Sequence, residues 1–229
     1  MNHAAVQSRL PAFLRRYVLD FERRIEDAVR DFAAGLPAGA RVLDAGAGEL
    51  QYAKHFDRHR YVAVDLACGD ELWDYSKLNA IADLVALPFP CGAFDAAINI
   101  VTLEHVAEPG AVIRELGRVL APGGALLLVV PQDWEVHQAP HDYFRYTRYG
   151  VRYLLERAGF TSVRVYPAGG FFRLLSRRLL NALSFFHGVW FLPAALVLAP
   201  PALLLPALDR FDRDRNFTLG YICTARRRS

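Results

Sequence analysis

Short apolar strands alternating with amphipathic helices constrain this chain more than any other feature. "RVLDAGAG" (41–48), "RYVAVDL" (60–66), "FDAAINIV" (94–101) and "ALLLVVP" (125–131) are apolar on nearly every residue rather than every second one. A strand apolar on both faces lies in a sheet covered on both sides, which in practice means a parallel sheet with crossover helices. "NAIADL" (79–84) reads as a weaker strand, and "TSVRVYPA" (161–168) and "FTLGYICTARR" (217–227) as the last two. Helices are expected over 10–34, ended by Gly35, Pro37 and Gly39, and over 50–57. Two more are expected in "GAVIRELGRVLAPGG" (110–124) and in "TRYGVRYLLERAGF" (147–160), where Gly159 caps the end.

Composition agrees with a packed α/β chain: 53% hydrophobic and 22% charged among 229 residues. A formal charge of +3 is too small to imply a nucleic-acid partner, and none is expected. The arginines cluster at Arg15/Arg16, Arg23/Arg24, Arg177/Arg178 and Arg226–Arg228, which suits either an anionic surface or a solvated face. Cys68, Cys91 and Cys223 are odd in number and widely spaced, arguing for free thiols in a reducing compartment. The charged N-terminal residues do not read as a signal peptide, so a cytoplasmic chain is expected.

Chemistry concentrates where the first strand turns into glycines, "VLDAGAGELQYAKHF" (42–56). Gly46 and Gly48 would let a ligand approach the backbone. A dinucleotide site wants G-x-G-x-x-G, but Gln51 stands at the third position, and Asp44 and Glu49 would repel a pyrophosphate. The two carboxylates suit a cationic ligand instead. Asp65, 21 residues after Asp44, ends the second strand and could accept from two ribose hydroxyls. Asp83 ends the third strand and could accept from an adenine amino group. Ribose, adenine, an amine and a sulfonium together describe S-adenosylmethionine.

These residues, with "VAVDL", "ADLVALPFPCGAFDAAINIVTLEHV" and "ELGRVLAPGGALLLVVP", resemble the class I S-adenosylmethionine-dependent methyltransferases of the small-molecule, type 11-like kind. The resemblance covers residues 39–166 and the last strand. It implies a Rossmann-like, mostly parallel seven-stranded sheet in the order 3-2-1-4-5-7-6, the last strand antiparallel; between strands six and seven this chain adds an apolar helical insertion. It implies Asp44, Gly46 and Gly48 around the methionine part, Asp65 and Leu66 at the ribose, Asp83 and Leu84 at the adenine, and Asn99 in the pocket wall. One departure is that Leu50 stands where the family often has a third glycine. The whole chain is expected to form one domain, with an N-terminal helical segment (1–38), a cofactor-binding core (39–168), the insertion (169–215) and the last strand with its basic tail (216–229).

Methyl transfer needs a base only if the acceptor must lose a proton. "PQDWEVHQAPHDYFRYT" (131–147) is dense in polar and aromatic groups, and either His141 or His137 would suit as a base for a hydroxyl acceptor. Glu104, His105, Asp142 and Tyr143 are candidate acceptor contacts. His137, His141 and Asp142 also invite a metal reading, but Pro140 interrupts any helix that would align the histidines, and no metal is expected.

The thirty residues 179–208 carry no formal charge, with His187 neutral. A single membrane span would put the last strand on the far side of the membrane from its sheet neighbour. Two spans need about forty residues. A hairpin of two short helices bent at Pro200–Pro201 is therefore expected, preceded by a basic amphipathic helix. Such a hairpin would serve as a peripheral or monotopic anchor at the inner face of the membrane, as a lid, or as a homodimer contact. The resulting expectation is O-methylation of an amphiphilic or lipid-linked small molecule. The alternatives are a soluble small-molecule methyltransferase that dimerises through the hairpin, a cofactor-binding module without transfer, and, least suited, a nucleotide-dependent dehydrogenase.

Overall fold

A computed structural model describes residues 19–69 and 72–229. Its elements run α1 (Asp20–Ala34), β1 (Arg41–Ala45), β2 (Arg60–Asp65), β3 (Ala80–Ile81), β4 (Phe94–Ile100), α2 (Pro109–Val119), β5 (Leu120–Pro131), α3 (Arg148–Arg157), β6 (Phe160–Pro167), α4 (Phe171–Ala182), α5 (Phe191–Leu204) and β7 (Gly220–Arg227). The sheet order is 3-2-1-4-5-7-6. Strands β1 to β5 pair in parallel, and β7 runs antiparallel to β5, with Val129 opposite Ile222. The expected sheet is therefore the observed one.

The central strands are buried along their length because helices cover both faces of a parallel sheet. Leu43, Ile98 and Leu126–Val130 form its middle. Helix α2 begins at Pro109, whose missing N–H costs nothing in the first turn, and buries Val112, Ile113, Leu116 and Val119 on one face. Helix α3 starts where Thr147 accepts from the Gly150 N–H at 3.0 Å, and Gly159 leaves it at φ 87°.

Several local expectations change. The helix expected over 50–57 is a series of turns with one short 3-10 helix, Ala53–His55. The helical reading of 10–34 is observed from Asp20 onward, and residues 1–18 lie outside the described part.

Contacts divide the described residues into two compact units: residues 25–166 with 220–229, and residues 19–24 with 167–219. The second unit has its own polar framework. Asp209, 5% exposed, accepts from the Gly170 and Arg173 N–H groups at the start of α4, and Asp212 accepts from the Phe171 N–H at 2.7 Å. Acids at a helix N-terminus satisfy free donors and favour the helix dipole. Arg173 pairs with Asp20 and Asp209, and Arg177 with Glu22. Two arginines that would face lipid headgroups in a basic amphipathic helix are thus spent on internal ion pairs.

The apolar segment does not reverse direction at Pro200 and Pro201. They sit inside α5, and helical geometry continues through Leu205–Phe211. Pro206 has no N–H for the Ala202 carbonyl four residues earlier, and the Ser176 hydroxyl donates there instead, at 2.5 Å. The reversal of direction lies further upstream, between α4 and the residues around Gly188, and α4 packs against α5 and 205–211. The run Gly188–Phe211, 24 residues, is long and apolar enough to cross a membrane, and its most apolar stretch is only 11% buried.

Candidate active site

The sheet order reverses between β1 and β4, so a crevice opens at the carboxyl ends of these strands. Asp44 sits near the end of β1, 1% exposed, and its carboxylate accepts from the Tyr61 hydroxyl. Burial pushes the Asp44 carboxyl up to about 7, and the nearby Asp65 adds to the effect. A cationic group brought beside it would favour the ionised form.

The glycines act through close approach. Gly46 has φ 85°, donates to the Val64 carbonyl at 2.7 Å, and lies so near Thr102 that an added Cβ would stand 2.3 Å from that side chain. Gly48 has φ 50° and donates to Asp65 Oδ2 at 3.0 Å, and a Cβ there would meet the Trp73 ring at 3.2 Å. Asp65 Oδ1 accepts from the Ala67 N–H at 2.8 Å. Asp65 therefore fixes two loops and keeps lone pairs for a ligand. Leu50 holds the left-handed conformation at φ 60° that a third glycine would adopt without strain.

Asn99 is fully buried. Its Nδ2 donates to the Ala45 carbonyl at 2.7 Å, while its Oδ1 has no donor among the described residues. Leu66 is 49% exposed beyond β2. Asp83 is exposed two residues beyond β3, with Oδ1 accepting from the Val85 N–H at 3.1 Å, and Leu84 is buried. Asp44, Gly46, Gly48, Asp65, Leu66 and Asn99 thus gather at the ends of β1, β2 and β4, with Asp83 and Leu84 after β3.

A second cluster joins the loops after β4 and β5. The Tyr143 and Phe144 N–H groups donate to the Glu104 carbonyl at 2.9 and 3.3 Å, and the Tyr146 hydroxyl donates to the Leu103 carbonyl at 2.9 Å. The Glu104 carboxyl is fully buried with no hydrogen-bond partner, and burial pushes it up to about 8. His105 Nε2 lies 3.7 Å and His137 Nε2 3.9 Å from Glu104 Oε1. Burial lowers the affinity of the His105 ring for a proton. Asp142 takes a two-pronged contact from Arg145, which holds its carboxyl well below the usual range. It also accepts from the His137 N–H at 2.9 Å. His141 contributes its carbonyl to His105 Nδ1, while its own ring faces the Tyr143 hydroxyl at 3.2 Å. His137 therefore stands in the cluster, and the His141 ring does not.

Sequence reasoning missed Tyr61, Trp73, Thr102 and Arg145. Arg145 follows Asp142 by three residues, a spacing that could have suggested an ion pair. The others act across long sequence separations that no local pattern reveals.

The sheet order and the acids at its strand ends define a class I methyltransferase fold. The chain matches the methyltransferase domain family over residues 15–179 and belongs to it. Among curated relatives, the ubiquinone biosynthesis O-methyltransferase of Xanthomonas axonopodis pv. citri (strain 306) is 35% identical over 105 residues, covering 40% of this chain and 43% of that protein. The tRNA (carboxymethyluridine(34)-5-O)-methyltransferase of Arabidopsis thaliana is 30% identical over 141 residues, covering 57% of this chain and 33% of that protein. The matches span less than half the length of these relatives.

Solved structures share the fold at lower identity. The [4+2]-cyclase SpnF has a TM-score of 0.60 at 23% identity, covering 90% of this chain and 81% of that one. Phosphoethanolamine N-methyltransferase 2 of Haemonchus contortus, solved with S-adenosyl-L-methionine, has a TM-score of 0.58 at 16% identity, covering 90% and 53%. The family's methyl donor is S-adenosylmethionine, and the donor set at the ends of β1, β2 and β4 fits it: a buried carboxylate for the cationic end, a second carboxylate for ribose, and glycines that clear the approach.

Proposed function

We propose that this methyltransferase moves a methyl group from S-adenosylmethionine to a hydroxyl of an amphiphilic or lipid-linked acceptor, working at the cytoplasmic surface of a membrane. The observation that carries the acceptor class is the exposed apolar run Gly188–Phe211, in which Trp190, Leu192, Leu196, Val197 and Leu204 are each at least 65% exposed. An apolar surface of this extent does not stay in water on a monomeric soluble protein.

The run reads as lying in the membrane rather than crossing it. At about 1.5 Å per residue it is long enough to span. Its antiparallel neighbour α4, however, has 12 residues and carries Arg173, Arg177 and Arg178, so α4 offers no second crossing. The chain must still return to β7, which belongs to the same sheet as β6.

The cluster after β4 and β5 supplies acceptor chemistry. The acceptor oxygen attacks the methyl carbon in line, and the carbon–sulfur electron pair stays on sulfur, leaving S-adenosylhomocysteine. The hydroxyl proton goes to His137, whose imidazole is oriented by Asp142 and Glu135. Oxygen as the acceptor atom is supported by the O-methyltransferases among the curated relatives, the Xanthomonas axonopodis and Arabidopsis thaliana proteins included.

The same exposed face also suits a second copy of the chain, which is the reading of a soluble dimeric enzyme. Transfer of label from methyl-labelled cofactor to a lipid extract and to an aqueous metabolite extract separates the two. Label in the organic phase supports the proposal, and label confined to water-soluble products refutes it.

A further inference from the structure

Glu104, His105 and His137 present three ligand atoms within 4.8 Å of one another. We infer that they form a binding site for a divalent transition-metal ion, with zinc the best fit. The inference rests on which atoms carry hydrogens. His105 Nδ1 lies 2.6 Å from the His141 carbonyl, and His137 Nδ1 lies 3.0 Å from the Glu135 carbonyl. A carbonyl only accepts, so each Nδ1 carries the proton, and each neutral ring turns a bare Nε2 lone pair toward Glu104.

Three acceptor groups therefore converge on one space. The two rings pack edge to face at 4.6 Å between centroids, which fixes their directions. The Glu104 oxygens and His105 Nε2 are buried with no hydrogen-bond partner. The separations of 3.7 and 3.9 Å are too long for hydrogen bonds between these groups. A single proton on Glu104 would serve only one of the acceptors, whereas a cation serves all three.

The dimensions suit the ion. Zinc–nitrogen and zinc–oxygen bonds of about 2.0–2.2 Å at tetrahedral angles place ligand atoms about 3.3 Å apart, so the Glu104–histidine separations of 3.7 and 3.9 Å have to close by about half an ångström on binding. Two imidazoles and one carboxylate favour zinc and its transition-metal neighbours over magnesium or calcium, which prefer oxygen. The histidines already have the outer hydrogen bonds that hold metal-ligating rings in place. Three protein ligands leave at least one position open. An acceptor oxygen bound there would release its proton to solvent under the ion's charge, in place of the transfer to His137 in the metal-free site, because a ligating Nε2 cannot take a proton. That use rests on the function proposed above, whereas the metal site itself does not.

The test is titration of the chelator-treated full chain with zinc chloride, without cofactor or acceptor, followed by cobalt(II) as an optical probe. Cys68 and Cys91 are exposed thiols, so a Cys68→Ser/Cys91→Ser variant serves as the background. The expected result is one equivalent bound with micromolar or tighter affinity, visible cobalt bands, and a loss of about 100-fold or more in Glu104→Gln and in His137→Ala. His137 is partly exposed in a segment without helix or strand, so His137→Ala should keep its circular dichroism. His141→Ala should bind as the background does. Absence of saturable binding, loss of binding in the cysteine background, or undiminished binding in both Glu104→Gln and His137→Ala would overturn the site. Metal binding is read without methyl transfer, so failure of the metal site and failure of the methyltransferase reading are separate outcomes.

Discussion

At the scale of single residues, we propose that Asp44 couples protonation to cofactor binding. Its folded value of about 7 lies above the ordinary 3.8 because it is buried. The cofactor-free protein therefore binds a proton on folding. The associated stability is complete below about pH 4 and is lost as pH rises through about 7. A cationic cofactor favours the ionised carboxylate, so binding releases that proton. S-adenosylmethionine affinity measured by calorimetry should rise between about pH 6 and pH 8 and be flat in Asp44→Asn; a flat profile in the wild type would contradict this. Leu50 offers a second check at this scale, because its φ of 60° is strained for any residue with a Cβ. Leu50→Gly should stay within about 1 kcal/mol of wild type in urea denaturation, as relief of strain offsets lost side-chain contact and added chain entropy. Leu50→Val, β-branched, should lose roughly 1–2 kcal/mol.

At the scale of elements, the strands were legible in the sequence because continuous apolar runs have few other uses. The helical insertion was legible in composition but not in shape. Two adjacent prolines suggested a bend, yet α5 passes through them, and the Ala202 carbonyl that Pro206 cannot serve is satisfied by Ser176, 26 residues earlier in the chain. The basic character of α4 was likewise misleading, since Arg173 and Arg177 are held by Asp20, Asp209 and Glu22. We propose that the apolar surface of 188–211, rather than Arg173 and Arg177, is what would meet a membrane. Leu192, Leu196 and Val197 are 65%, 69% and 70% exposed, so changing all three to Glu should shift stability by only about 0.5 kcal/mol each. The triple variant should fail to float with anionic liposomes that carry the wild type. Equal flotation of the two proteins would remove this surface from the account.

At the scale of the whole molecule, the two halves of the candidate site differed in how far they could be read in advance. Asp44, Gly46, Gly48 and Asp65 follow their strands at fixed spacings, because a parallel sheet delivers its strand ends to one edge. The grouping of Glu104, His105 and His137 depends on the Tyr143 and Phe144 N–H groups reaching the Glu104 carbonyl, and on Arg145 holding the 132–146 segment, neither of which has a local pattern. The strand order came from family resemblance, since periodicity does not specify which strands are neighbours. The account as a whole depends on the β1–β2 edge being an S-adenosylmethionine site, and Asp65 is its most exposed test. Calorimetric titration of S-adenosylmethionine and of NAD into wild type and Asp65→Ala measures it directly. The expected result is one-to-one binding of S-adenosylmethionine, weakened about 10- to 100-fold in Asp65→Ala, with NAD binding more weakly. Tighter binding of NAD, or equal affinity of the two proteins for S-adenosylmethionine, would contradict the account.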